Sequence, residues 1–237
     1  MPEQNSDSKR TSKIRIITNL LTKALKLWLR AQVSQVSQIE VEISASDRQL
    51  LSGKVPWVKI FASHAVYQGL RIGQIQLVAE NIQVNIGSIV KGQPLRLLET
   101  VPVVGELLVE EKDLNDSLSS ELLTAALNDV LVKLLPEQCA KTKSISWQKI
   151  ILENNQIILS GILASEGKPT PVEICTGLSL IGGCELQLAP LQIKYDTGTL
   201  AQSNQEYNFN LGSEVDIQEL TLIPGQLLCR GRINVNP

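Results

Sequence analysis

Between Lys9 and Ile39 the chain carries seven basic residues (Lys9, Arg10, Lys13, Arg15, Lys23, Lys26 and Arg30) and no acidic one. The same stretch holds Ile14, Ile17, Leu20, Leu21, Ala24, Leu25 and Trp28. At about 100° per residue these apolar positions gather on one side of a helix, with Arg15, Lys23, Lys26 and Arg30 roughly opposite. The spacing predicts one long helix over about residues 12–36. Its apolar stripe must be covered, either by the chain's own sheet or by something greasy from outside. Basic charge beside a large apolar face also suits an anionic phospholipid surface. The two readings agree if the remainder of the protein is itself a lipid container.

The remainder reads mainly as strands. Ile39, Val41 and Ile43 alternate with Glu40 and Glu42, and Ile82, Val84 and Ile86 alternate with Gln83 and Asn85. That is the period-two signature of a sheet with one face inward. Further strands are expected near 144–152, 157–163, 171–180, 184–195, 205–211, 214–223 and 226–235. Asn154–Asn155 and Pro224–Gly225 mark tight turns. A second helical region is expected over 113–135, with Asp113 as its cap, Leu118, Leu122, Ala126 and Leu127 as an apolar face, and Ser119–Ser120 as a break point. The first 11 residues are polar and are expected to form an unstructured tail. Residues 12–237 are expected to be a single domain.

Hydrophobic residues make up 43% of the 237, yet aromatics only 3%. The apolar mass is therefore aliphatic and compatible with acyl chains. The net charge of −2 gives no reason to expect nucleic acid as a partner. Four widely spaced cysteines (Cys139, Cys175, Cys184, Cys229) make no metal or redox motif and read as buried thiols; a Cys175–Cys184 bridge is the alternative. The basic residues at 23, 26 and 30 interrupt any signal-peptide core, and no apolar run of about 20 residues spans a bilayer. A location on the cytoplasmic side with peripheral membrane association is expected.

The chain also repeats itself. Gln49-Leu50-Leu51-Ser52-Gly53 matches Ile157-Ile158-Leu159-Ser160-Gly161, and a Gly-Leu pair follows each after the same interval, at Gly69-Leu70 and Gly177-Leu178. Two halves, about 12–110 and 111–237, would then each be a helix followed by antiparallel strands. Glycines inside strands imply bends. The expected fold is α+β: a strongly curved antiparallel sheet around long amphipathic helices, with an aliphatic groove between. Leu21, Ala24 and Trp28 on the first helix, Leu122 and Leu127 on the second, and Ile75, Leu77 and Leu186 on strands are the candidate groove walls. Lys23, Lys26 and Arg30 are the candidate membrane or headgroup contacts.

Enzymatic signatures are scarce. His64 is the only histidine, and no nucleophile elbow, P-loop or dinucleotide fingerprint occurs. No metal site or cofactor is expected. The carboxylates Glu110, Glu111, Asp113 and Asp116 fit the start of a helix. An esterase built on His64 is the enzymatic alternative, and a lipid-free peripheral scaffold or assembly factor is the structural one.

Several strings carry a family likeness: Leu25-Lys26-Leu27-Trp28-Leu29-Arg30, Asp47-Arg48-Gln49-Leu50-Leu51-Ser52-Gly53, Ala65-Val66-Tyr67-Gln68-Gly69-Leu70, Gly92-Gln93-Pro94-Leu95-Arg96-Leu97-Leu98, Asp113-Leu114-Asn115 and Gly231-Arg232-Ile233-Asn234-Val235. Over about residues 15–236 the sequence resembles the LmeA-like phospholipid-binding proteins, in particular the branch found in photosynthetic bacteria. The resemblance implies a fold similar to the tubular lipid-binding (TULIP) type, in which a curved antiparallel sheet wraps a long helix and leaves a lipid groove. It also implies an exported phospholipid binder of the cell envelope; the function expected here is non-enzymatic phospholipid binding in the groove, with lipid transfer. The strings are structural and transfer no individual ligand residue.

Overall fold

A computed structural model describes residues 7–134, 142–165, 169–195, 200–203 and 206–237. The first helix, α1 (Asp7–Gln32), begins inside the stretch expected to be unstructured. The side chains of Ile14, Arg15 and Ile17 lie outside those described, as does Cys139. Strand β1 (Gln38–Ser44), the short helix α2 (Asp47–Leu51), and the long strands β2 (Lys54–Tyr67) and β3 (Leu70–Gln83) follow. After these come α3 (Ile86–Ile89), β4 (Val101–Glu110), α4 (Glu111–Asp116) and α5 (Glu121–Leu134). The chain continues as β5 (Thr142–Glu153), β6 (Gln156–Ser165), β7 (Thr170–Gly182), β8 (Glu185–Tyr195), β9 (Leu200–Ser203), β10 (Tyr207–Asn210), β11 (Val215–Ile223) and β12 (Gln226–Val235).

The strands form two antiparallel sheets. The first runs β1-β2-β3-β4-β12-β11, and the second β10-β8-β7-β6-β5 with β9 also on β8. The α+β class holds, but each helix has its own sheet. Leu21, Ala24, Leu25 and Trp28 of α1 pack in the core of the first. Leu127, Leu131 and Leu134 of α5 pack in the core of the second, with Trp147, Ile150 and Ile174. Strand β11 joins the layers: it edges the first sheet, its Leu222 is buried in the second core, and the Ile217 N–H donates to the Gly183 carbonyl at 2.6 Å.

The second helical region is broken, and its start differs from the expected one: α4 opens at Glu111, so Asp113 lies in its first turn. The break is held by hydrogen bonds. Ser117, fully buried, donates its hydroxyl to the Asp113 carbonyl and accepts the Arg71 N–H at 2.8 Å, which ties the break to β3. Asn115 imitates a strand neighbour for β5. Its amide donates to the Ile150 carbonyl at 2.8 Å, and its oxygen accepts the Ile150 N–H at 2.9 Å. The Glu111 carboxylate accepts the Leu152 N–H at 2.9 Å. The region thus clamps both sheets, and that explains its carboxylate- and amide-rich sequence.

The proposed glycine correspondence fails. Gly53, with φ +78°, lies in the turn between α2 and β2, whereas Gly161 is inside β6 opposite Trp147 and Val172. Gly69, with φ +81°, makes the β2–β3 turn, whereas Gly177 is inside β7, where a Cβ would come 2.2 Å from the Ala189 carbonyl oxygen. Two glycines serve turns and two serve close strand contacts. The shared spacing therefore reflects similar aliphatic strings at unlike places.

Candidate functional site: an aliphatic groove under the first helix

Alternation along the first sheet puts aliphatic side chains on its inner face. Residues paired across strands stack them into rows: Ile43, Val58, Ala79, Val103 and Ile233 in one, and Ile39, Ala62, Ile75 and Leu107 in another. Between them runs Val41, Ile60, Leu77, Gly105 and Gly231. The outer face is mixed: Phe61, Val78 and Val104 share it with charged residues, and Arg230 bridges Glu106 at 2.6 Å and Glu219 at 2.9 Å. These pairs are exposed and contribute little stability.

Helix α1 lies over the inner face without filling it. Leu21, Leu25, Trp28, Leu29 and Gln32, one helical stripe, form the roof. Below them is a groove of about 460 Å³, within the range of roughly 300–1,000 Å³ usual for small-molecule sites. It extends from Val84, Leu95 and Leu97 at one end to Tyr67 and Ile72 at the other. No charged side chain lines it; Trp28, Gln32 and Tyr67 are the lining residues with side-chain polar atoms. The small floor residues Ala62, Ala65 and Ala79 account for much of the open space. In the middle row a Cβ on Gly105 would lie 3.0 Å from Leu77 Cδ2, so glycine here leaves Leu77 its room. Helix α1 is pinned at its far end, where Ser34 donates both N–H and hydroxyl to the Val66 carbonyl and Val66 donates to that of Gln35.

The expected wall residues divide between the two sheets. Leu21, Trp28, Ile75 and Leu77 line the groove, and Ala24 packs against the same core. Leu122 is exposed on α5, Leu127 is buried in the second core, and Leu186 is half-buried on β8 beside Phe209 of β10. These last three belong to the other sheet, because α5 docks there. Lys23 and Arg30 are exposed on the outer side of α1 and Lys26 is half-buried. Leu27, 70% exposed, and Leu20, 37% exposed and two turns earlier, are large apolar residues on that outer side. Sequence reading missed Ile60, Ala62, Val103 and Ile233 of the wall, although the alternation of Val58, Ile60 and Ala62 carried the signal for the first two.

His64 is exposed in β2 with φ +48°, and among the described residues no serine hydroxyl is hydrogen-bonded to its ring. Cys175, Cys184 and Cys229 are free thiols. Among the described residues no group of three or more histidine, cysteine, aspartate or glutamate side chains is placed to hold a metal.

No curated protein and no solved structure gives a significant match to the chain. A family model described as LmeA-like phospholipid-binding matches residues 13–232, which include α1 from Lys13 onward, both sheets up to Arg232 of β12, and every groove residue except Ile233 and Val235. The chain belongs to the LmeA-like phospholipid-binding family.

Proposed function

We propose that this protein binds a phospholipid non-enzymatically, with acyl chain in the groove beneath α1 and headgroup toward solvent, and exchanges it with an anionic membrane. The observation that carries the reading is a continuous groove of about 460 Å³ with no charged lining. Without lipid its aliphatic walls face water, and filling it with hydrocarbon removes that surface from solvent. An acyl chain burying roughly 300 Å² contributes on the order of 7 kcal/mol at about 25 cal/mol per Å². Binding of this kind requires desolvation and no catalytic group.

In this reading residues 12–237 act as one lipid-binding unit, and Leu21, Ala24, Trp28, Ile75 and Leu77 contact lipid. Lys23, Lys26 and Arg30 contact the headgroup or the membrane. The proposed association is peripheral. The cytoplasmic side is the proposed location; the family resemblance favours the exported alternative. Gentle purification followed by mass spectrometry of co-extracted lipid tests the proposal. About one phospholipid per chain is the expected result. A protein that emerges lipid-free, and takes up none from vesicles, is a scaffold and not a container.

A further inference from the structure

One end of the first sheet is built unlike the rest of the surface. Three consecutive pairs there each bury one residue and expose the next. Leu50 is buried and Leu51 is 63% exposed; Ile89 is buried and Val90 is 64% exposed; Leu97 lines the groove and Leu98 is 56% exposed. Folding accounts for the first of each pair only. The three segments are held together by backbone. The Val84 N–H donates to the Gly53 carbonyl at 2.9 Å, and the Leu98 N–H to that of Gln83 at 2.9 Å. Asn85 then fastens the loop after α3. Its amide donates to the Pro94 carbonyl at 2.9 Å and its oxygen accepts the Arg96 N–H at 2.8 Å.

The charge at this end is mainly basic. Residues 47–54 and 84–98 contain Arg48, Lys54, Lys91 and Arg96 against one acid, Asp47. All four cations are exposed, and none forms an ion pair among the described residues. The nearest following acid, Glu99, accepts the Gln83 amide at 2.9 Å. Val84, Leu95 and Leu97 of the same loops form the end wall of the groove.

We propose that this end, made of α2, α3 and the 90–98 loop, is a tip that docks onto an anionic lipid bilayer, with Leu51, Val90 and Leu98 entering the acyl boundary. Arg48, Lys54, Lys91 and Arg96 lie against lipid phosphates. Unpaired cations around protruding aliphatics complement an anionic surface with a hydrocarbon interior. The tip places the groove's end wall at the membrane, so a lipid has a short dry path between bilayer and groove. The inference rests on the lipid-binding reading and adds to the α1 cations a second membrane contact at this tip, the larger of the two.

Flotation of the full chain tests it, with phosphatidylcholine vesicles against vesicles of phosphatidylcholine mixed with phosphatidylglycerol. The wild type should float with the mixed vesicles, more weakly as salt rises. Each basic group near an anionic surface is worth roughly fivefold in partition, so R48E/K91E/R96E should lower it roughly 100-fold. L51S/V90S/L98S, which keeps the charge, should lower it at least tenfold. Both should keep the wild-type melting temperature and co-purified lipid, since none of the six side chains lines the groove. K23E/K26E/R30E should lower flotation less than either tip variant does. Flotation lost in that helix variant and kept in both tip variants would overturn the proposal, as would a wild type that ignores anionic vesicles. Lipid content is read separately: flotation by a protein that never contains lipid would refute the groove and leave the tip.

Discussion

Ala62 sits on the groove floor between Ile39 and Ile75, so a larger side chain there must project into the space assigned to lipid. Ala62→Phe places a ring beneath α1. A buried phenylalanine covers about 150–250 Å², of which roughly 100 Å² would face the ligand. Losing that contact costs the bound lipid on the order of 2.5 kcal/mol at about 25 cal/mol per Å², or roughly 60-fold in affinity. The protein itself changes little, because the ring's own burial, worth about 1.5–3 kcal/mol, offsets about 1–3 kcal/mol of crowding. The matched control is Ile174→Ala. Ile174 is 0% exposed in the core beneath α5, and its truncation should cost about 2–5 kcal/mol and lower Tm on the order of 10 °C. Lipid per chain by mass spectrometry and melting by calorimetry are read on both variants. Ala62→Phe should lose lipid and keep its melting temperature, and Ile174→Ala should do the reverse. If Ala62→Phe retains the full lipid complement, or if lipid and melting temperature fall together in both, hydrocarbon does not occupy this groove.

Asn115→Ala removes both halves of a hydrogen-bonded pair with Ile150 and a further bond to the Glu111 carbonyl. At about 1 kcal/mol each, the loss should total about 3 kcal/mol and lower Tm by roughly 6–12 °C; an unchanged melting curve would show that the clamp between the sheets is idle. Burial pushes the Cys229 thiol up from its ordinary pKa, so less thiolate is present at any given pH. Alkylation of Cys229 in the native protein should therefore reach its half-maximal rate at higher pH than in denaturant, as peptide mapping can check. Coincident midpoints would mean that the thiolate is solvated in the fold.

Local periodicity was readable from the chain alone. The i, i+4, i+7 spacing of Leu21, Leu25 and Trp28 marks a helix with one inward face, and these three residues do roof the groove. Glu40 and Glu42 between Ile39, Val41 and Ile43 fix which face of β1 turns inward, since adjacent strand residues point oppositely. Ser119–Ser120 marks the break between α4 and α5. Strands β2 and β4 went unassigned, although the alternation of Val58, Ile60 and Ala62 marked β2; each accommodates a proline near its start, Pro56 and Pro102. The composition, rich in Leu, Ile and Val, indicated apolar burial but not its location.

The location was decided by tertiary structure. Both α1 and α5 present aliphatic stripes, and neither stripe encodes which sheet receives it or how fully. Under α5, Trp147 and Ile174 crowd against Leu127, Leu131 and Leu134. Under α1, Ala62, Ala65 and Ala79 face the helix across the sheet and leave the groove. Whether a helix covers a packed core or an open groove depends on the summed volume of side chains brought together from distant strands. Periodicity records the direction of each side chain along its own element; only the fold brings those volumes together.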